Sequence, residues 1–139
     1  MGNHHTYNQG IILSGLVELY KVKNDTSFLD LAHNIADATI ENFVYDNGVL
    51  KDPKEPNLNG DASQFKGIFM RNLGFLYSES PKEHYKSFIL NNVNSIWSFA
   101  RNKTTNEVGV VWNNSSEKTN ASTQSSALDA FNAAMIVSK

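Results

Sequence analysis

Two stretches of this chain, "GIILSGLVELY" (10–20) and "GIFMRNLGFLY" (67–77), align at one offset of 57 residues. Gly10 meets Gly67, Ile11 meets Ile68, Leu16 meets Leu73, Leu19 meets Leu76 and Tyr20 meets Tyr77. The register continues into the following segments, where Phe28, Leu31 and Ala32 fall on Tyr85, Phe88 and Ile89. A period of this length decides architecture before any single element is assigned. After each second segment comes a short Gly-β-branched piece, "GVL" at 48–50 and "GVVW" at 109–112, then a polar loop, then a Gln that opens the next segment: Gln9, Gln64 and Gln124. The unit reads helix, helix, short extended piece, loop.

The two helices of a unit differ in kind. Those opening at Gln9, Gln64 and Gln124 are rich in small residues (Gly10, Ser14, Gly15; Gly67, Gly74; Ala127, Ala130, Ala133, Ala134) and poor in charge, as helices packed closely on several sides must be. Those at roughly 27–44 and 82–102 place Phe28, Leu31 and Ile35, or Tyr85, Phe88, Ile89, Val93 and Ile96, at helical spacing among charged residues. They have one dry face and one wet face. Buried helices alternating with half-exposed ones predict an all-α, concentric toroid of five main helices, three inner and two outer. Two full units and the inner helix of a third are present, and neither end reads as a polar cap, which a free-standing repeat array needs. The expectation is a segment of a larger ring.

Composition removes several classes of function. With 12 basic and 14 acidic residues, a formal charge of −2 and no basic cluster, the chain lacks the electrostatic footprint of a nucleic-acid binder. No run approaches the ~18 apolar residues of a membrane span, and the start carries no signal-peptide pattern. Cysteine is absent, which excludes thiolate metal sites and thiol catalysis. His4, His5, His33 and His84 form no metal-ligand spacing, and there is no P-loop, G-x-G-x-x-G or Gly-x-Ser-x-Gly. No metal and no cofactor are expected.

In a toroid the loops feeding the inner helices converge on one rim. "HHTYNQG", "NLNGDASQFKG" and "NNSSEKTNASTQSS" therefore predict a surface bearing Tyr7, Asn8, Gln9, Asp61, Gln64, Lys66 and Gln124, with Trp112 nearby. Amides and hydroxyls that both donate and accept, beside a flat ring, suit sugar hydroxyls and the apolar face of a pyranose. A carbohydrate cleft is the functional reading. Against it, Thr6-x-x-Gln9 and Asp61-x-x-Gln64 also fit the helix capping box. The helix from Gln64 is apolar almost all round, yet it carries Lys66 and Arg71, and charges are almost never buried unpaired. Arg71, two turns down, reads equally as the partner of a buried carboxylate or as a ligand contact, with Asp129 one candidate partner, while Lys66, one turn from the rim, is the better candidate to touch a ligand.

"TYNQGIILSGLVELY", "LDLAHNIADATI", "GVLKDP", "GDASQFKGIFMRNLGFLY", "SIWSFAR" and "QSSALDAFNAA", in order from Thr6 to Val137, resemble glycoside hydrolase family 76, the bacterial and fungal α-1,6-mannanases. "TYNQG" with "QFKGIFMRNL" carries most of the likeness. The resemblance implies an (α/α)6 barrel, retaining endo-hydrolysis of α-1,6-mannan, relatives that remodel fungal walls by transglycosylation, and an extracellular or cell-envelope location. It places Tyr7, Asn8, Gln9, Gln64, Lys66 and Arg71 along the cleft as binding residues. It also implies an adjacent Asp-Asp pair as catalysts on an earlier part of the barrel, and this sequence contains none. A retaining mechanism needs two carboxyls about 5 Å apart, whereas Asp46, Asp52, Glu55, Asp61, Glu107 and Glu117 are scattered over loops. Residues 1–139 thus read as the later half of one catalytic domain, with no catalytic residue of its own and a mannan-type saccharide as partner. Such a segment should be inactive alone, marginally stable, and prone to self-association through its open flank. Alternatives are a non-catalytic wall-glycan scaffold or transglycosylase, and another α/α-toroid enzyme such as a glucuronyl hydrolase or sugar epimerase.

Overall fold

The computed structural model describes residues 4–58, 60–114 and 118–139. Their order is α1 (Thr6–Lys23), α2 (Ser27–Asn42), a 3-10 turn (Gly60–Gln64) leading into α3 (Phe65–Glu79), α4 (Glu83–Ser95) running on into a π turn (Ile96–Ala100), and α5 (Ala121–Val137). Asn59 and residues 115–117, which belong to two of the expected rim loops and include Glu117, lie outside the described residues.

The repeat is also built into the connections. A single antiparallel bridge closes each connection, Val44 with Leu50 of the first Gly-Val piece and Arg101 with Val108 just before the second, so these are tight turns and not strands. Tyr45 N–H donates to Val49 O at 2.9 Å and Asn102 N–H to Glu107 O at 2.8 Å, at matching places in the two turns. Both turns need one left-handed residue. Gly48 supplies it at φ 74° in the first and Asn106 at φ 64° in the second, Asn being the side chain that best tolerates this region after Gly.

Helix α3 packs against both α1 and α5, while α2 lies on α1 and α4 on α5. The inner row is therefore α1, α3, α5, and α2 with α4 forms the outer layer. Glycine sets the spacing of the row. A Cβ on Gly10 would lie 2.6 Å from Phe69 Cα, and one on Gly67 would lie 2.5 Å from Ser126 Cα, so backbones meet at equivalent points of the two interfaces. The same 57-residue offset that relates Gly10 to Gly67 relates Phe69 to Ser126. Applied once more, it makes Ile12 and Leu19 of α1 the counterparts of Phe69 and Leu76, both fully buried in α3. Ile12 and Leu19 are 45% and 44% exposed. α1 thus has an inner helix's face with no helix on it among the described residues.

The core fills the space between the layers with Leu13, Phe69, Met70, Leu73, Leu76, Tyr85, Ile89 and Ile96, all fully buried. Each such side chain contributes about 1.5–3 kcal/mol relative to its exposed state. On α2, by contrast, Ala32, His33, Ala36 and Thr39 alone are buried, which is the single dry face expected of an outer helix.

The capping boxes expected at α1 and α3 do not form. Helix α1 is entered from His5 and α3 from Gln64, neither with a side-chain cap, and Asp61 is exposed on the 3-10 turn. Thr6 is the first residue inside α1. Its N–H donates to a carboxylate 46 residues away, Asp52 Oδ2 at 3.1 Å, and its hydroxyl donates to the same oxygen at 3.0 Å. A tertiary contact has replaced the local cap. The reciprocal box is found instead at α5, where Asn120 Oδ1 accepts from Thr123 N–H and Thr123 Oγ1 from Asn120 N–H, each at 3.0 Å.

His33 ties α2 to the outer end of α3 and to α4. Its Nδ1 lies 3.0 Å from Tyr85 Oη and its Nε2 2.9 Å from Ser80 Oγ, contacts that a neutral imidazole satisfies with one acceptor and one donor nitrogen. Burial, aided by Lys82, holds its pKa below the ordinary histidine value. In acid the unfolded chain then takes up a proton that the folded chain resists. Stability should be level above about pH 6.5 and fall as pH drops from there through the depressed folded pKa. Urea midpoints measured across this range check it: His33→Gln should flatten the slope, and an unchanged slope would refute the assignment.

Candidate functional site

The N-terminal ends of the inner helices meet at one end of the bundle, and the residues expected there divide into three groups. The first group does form a surface. Tyr7 and Phe65, both half-buried, stand ring to ring with centroids 4.2 Å apart, and His5 reaches the same Phe65 ring at 5.0 Å. Gln64 Nε2 donates to Ser122 Oγ at 3.3 Å and joins the starts of α3 and α5. Asn8 is half-buried beside Tyr7, and Asp61 is open to solvent. Further down the same interface the Arg71 guanidinium meets Asp129 Oδ2 at 3.2 Å, the pairing that helical spacing suggested. Burial pushes Asp129 above the usual carboxylate range, with Arg71 opposing the shift. Arg71 remains 48% exposed, so its remaining donors face solvent.

The second group is turned inward. Lys66, expected at the ligand, is 2% exposed, and its Nζ lies 2.6 Å from Glu55 Oε1 and 4.3 Å from the centre of the Trp112 ring. Trp112, expected as a sugar-stacking ring, is 1% exposed and pinned by Ser95 Oγ donating to its carbonyl at 2.9 Å. Both belong to the core. Burial pushes the Lys66 ammonium below the ordinary lysine pKa, and Glu55 and Asp52 oppose that shift. Glu55 also accepts from Tyr45 Oη at 2.8 Å and from Asp52 N–H at 3.0 Å, while Asp52 holds Thr6 and lies 2.9 Å from His5 Nδ1. Two loop carboxylates, one lysine and one histidine thus form a closed buried network under the rim. Among the described residues, Glu55 and Asp52 are the one pair the fold brings together around Lys66 from the scattered acids. With both side chains fully buried and committed, they are unsuited to acid/base or nucleophilic work.

The third group serves other backbone. Gln124 accepts from Val108 N–H at 3.1 Å and donates to Val108 O at 2.9 Å, stitching α5 to the second turn. In the first unit that task is split: Asn92 Oδ1 accepts from Leu50 N–H at 2.8 Å, and Lys66 reaches Leu50 O at 3.4 Å. Gln9 faces α2 and lines an open groove of about 410 Å³ with His4, Asn34, Ile35, Ala38 and Asn42, apart from Gln64.

Sequence reasoning missed Phe65, His5, Asp52 and Glu55. Phe65 could have been found from its position one residue past the rim Gln64. The two loop acids carry no periodic signal.

The profile of glycosyl hydrolase family 76 matches residues 2–139. None of the curated proteins matches the chain significantly. Among solved structures, a protein of Listeria innocua superimposes with a TM-score of 0.87 at 27% identity, over 96% of this chain and 38% of that one. An α-1,6-mannanase of Salegentibacter superimposes with a TM-score of 0.86 at 23% identity, over 96% of this chain and 40% of that one. It was solved as an inactive variant, two adjacent aspartates replaced by alanine, in complex with α-1,6-mannotetrose. The chain spans about two fifths of the length of these structures.

Proposed function

The chain belongs to glycosyl hydrolase family 76, and on that premise we propose that it forms the polar rim and part of the inner wall of a glycosidase that cleaves α-1,6-mannan by retaining endo-hydrolysis, outside the cell or at its envelope. The observation that carries the reading is the match of the family over the whole chain, together with a rim whose amides and rings suit a saccharide. Tyr7, Asn8, Gln64, Asp61 and Arg71 are the residues we assign to substrate. Gln9 we assign to the groove beside α2. The catalytic pair belongs elsewhere in the barrel, because this sequence has no adjacent aspartates, the buried Glu55 carboxylate is paired with Lys66, and the buried Asp52 carboxylate is held by Thr6 and His5.

The test is titration of the purified chain with α-1,6-mannotetraose and, as control, a β-1,4-linked glucotetraose, followed by NMR chemical shifts, alongside an assay on linear α-1,6-mannan. The expected result is saturable binding of the mannoside alone and no turnover above buffer. No saturable binding overturns the carbohydrate reading, and clear turnover overturns the assignment of catalysis to residues outside this chain.

A further inference from the structure

We propose that Tyr7 and Phe65, backed by the His5 ring, form a preorganised aromatic platform on which one sugar ring of the bound saccharide stacks, an inference that rests on the carbohydrate reading above. The three rings come from two helices. His5 and Tyr7 flank Thr6 at the start of α1, and both reach Phe65 at the start of α3, with centroids at 5.0 and 4.2 Å. His5 and Tyr7 lie within 26° of parallel at 6.2 Å. Aromatic rings with one face against a neighbour and an edge or face in water suit the C–H face of a pyranose, whose hydroxyls then meet polar groups at the ring's margin. Asn8 and Gln64, adjacent in sequence to Tyr7 and Phe65, supply such groups.

What separates this cluster from an ordinary surface contact is how it is held. The residues next to the rings are the fixed points of the buried network. Asp52 receives both the N–H and the hydroxyl of Thr6 and pairs with the His5 ring, while Lys66, next to Phe65, is locked to Glu55, which in turn accepts from Asp52 N–H. One loop thereby fixes the starts of α1 and α3 relative to each other. A stacking surface gains affinity when its rings need not be ordered on binding, and buried support under half-exposed rings provides that.

The experiment uses Tyr7→Leu and Phe65→Leu, which keep apolar bulk, with Tyr7→Phe and Phe65→Tyr as ring-preserving controls, each titrated with α-1,6-mannotetraose after its fold is checked by circular dichroism. Each Leu variant should weaken binding roughly two- to ten-fold, the range of one aromatic contact, and each ring-preserving variant should bind within about two-fold of the parent. In the parent chain, NOEs should connect Tyr7 and Phe65 ring protons with sugar C–H protons, a readout that stands even if a Leu variant fails to fold. Mannotetraose binding with unchanged affinity in the Leu variants, or without those NOEs, overturns the platform and leaves the carbohydrate reading intact. Absence of saturable binding in the parent overturns both.

Discussion

Lys66→Met should destabilise the chain by about 3–5 kcal/mol, the cost of removing one partner of a buried ion pair. Small domains hold about 5–15 kcal/mol in total, so the variant should melt without a cooperative transition or close to that limit. The reason is the state in which Met leaves Glu55 and Asp52. Their side chains are fully buried, and Glu55 would face an apolar side chain where it now meets the ammonium at 2.6 Å. A carboxylate stripped of its cation takes a proton at a higher pH in the folded chain than in the unfolded one. A raised carboxyl pKa gives stability that is present in acid and lost as pH rises above the ordinary glutamate value. Relative to the parent at the same pH, a comparison that cancels the His33 effect common to both, the variant's deficit should therefore be smaller near pH 4 than at pH 7. Adding Glu55→Gln removes the orphan charge, keeps one oxygen for Asp52 N–H and lets the amide NH2 donate to Tyr45 Oη, which can accept, so the double variant should recover most of the loss. Thermal melts of the four members of this cycle at two pH values decide it. Equal stability of Lys66→Met and parent at pH 7 would mean that the network is not what ties the loop to α3.

The network also shows where sequence reading stops. Lys66 was conspicuous as a cation on an apolar helix, and burial of a charge forces a partner, yet the partners lie in "KDPKEPNLN", a loop with no period from which a distance could be read. Arg71 was different. Its partner Asp129 sits on a neighbouring helix of the same repeat, so helical spacing alone brought the two to one interface. Trp112 and Gln124 misled for a related reason. A Trp and a Gln near a rim suit a sugar as well as they suit a core, and what decided between them was the carbonyl of Trp112 and the backbone of Val108, groups that every sequence has and none displays. The alternation of inner and outer helices was legible because it rests on which positions lack a side chain or a charge, and those identities are written in the sequence.

Gly67→Ala should cost about 3 kcal/mol, at the upper end of what overpacking a core costs, although Ala is the better helix former. The added Cβ would lie 2.5 Å from Ser126 Cα and 2.7 Å from Ser126 O, atoms of a helix backbone that cannot rotate away. It would also disturb the bond from Gly67 N–H to Ser126 Oγ at 2.9 Å, which the close approach makes possible. Gly10→Ala meets the same obstacle at Phe69 Cα, 2.6 Å away, and should cost a similar amount. Gly74→Ala, whose nearest neighbour would be the Ala133 methyl at 3.3 Å, should cost far less. Gly15 has open space around it, and there Ala should stabilise by about 0.5–1 kcal/mol through lost chain entropy in the unfolded state. Four substitutions of one chemistry on two helices thus spread from strong loss to gain, in an order set by interhelical distance alone. Ser126→Gly should not rescue Gly67→Ala, because the clash is with backbone. The same displacement reaches the rim: α3 and α5 are joined there by Gln64 with Ser122 and below it by Arg71 with Asp129, so prying the helices apart at Gly67 strains both contacts. Mannotetraose affinity should then fall in Gly67→Ala and stay unchanged in Gly15→Ala, measured well below each variant's melting temperature. Equal destabilisation by all four substitutions would show that helix propensity, and not the spacing of the inner row, governs this fold.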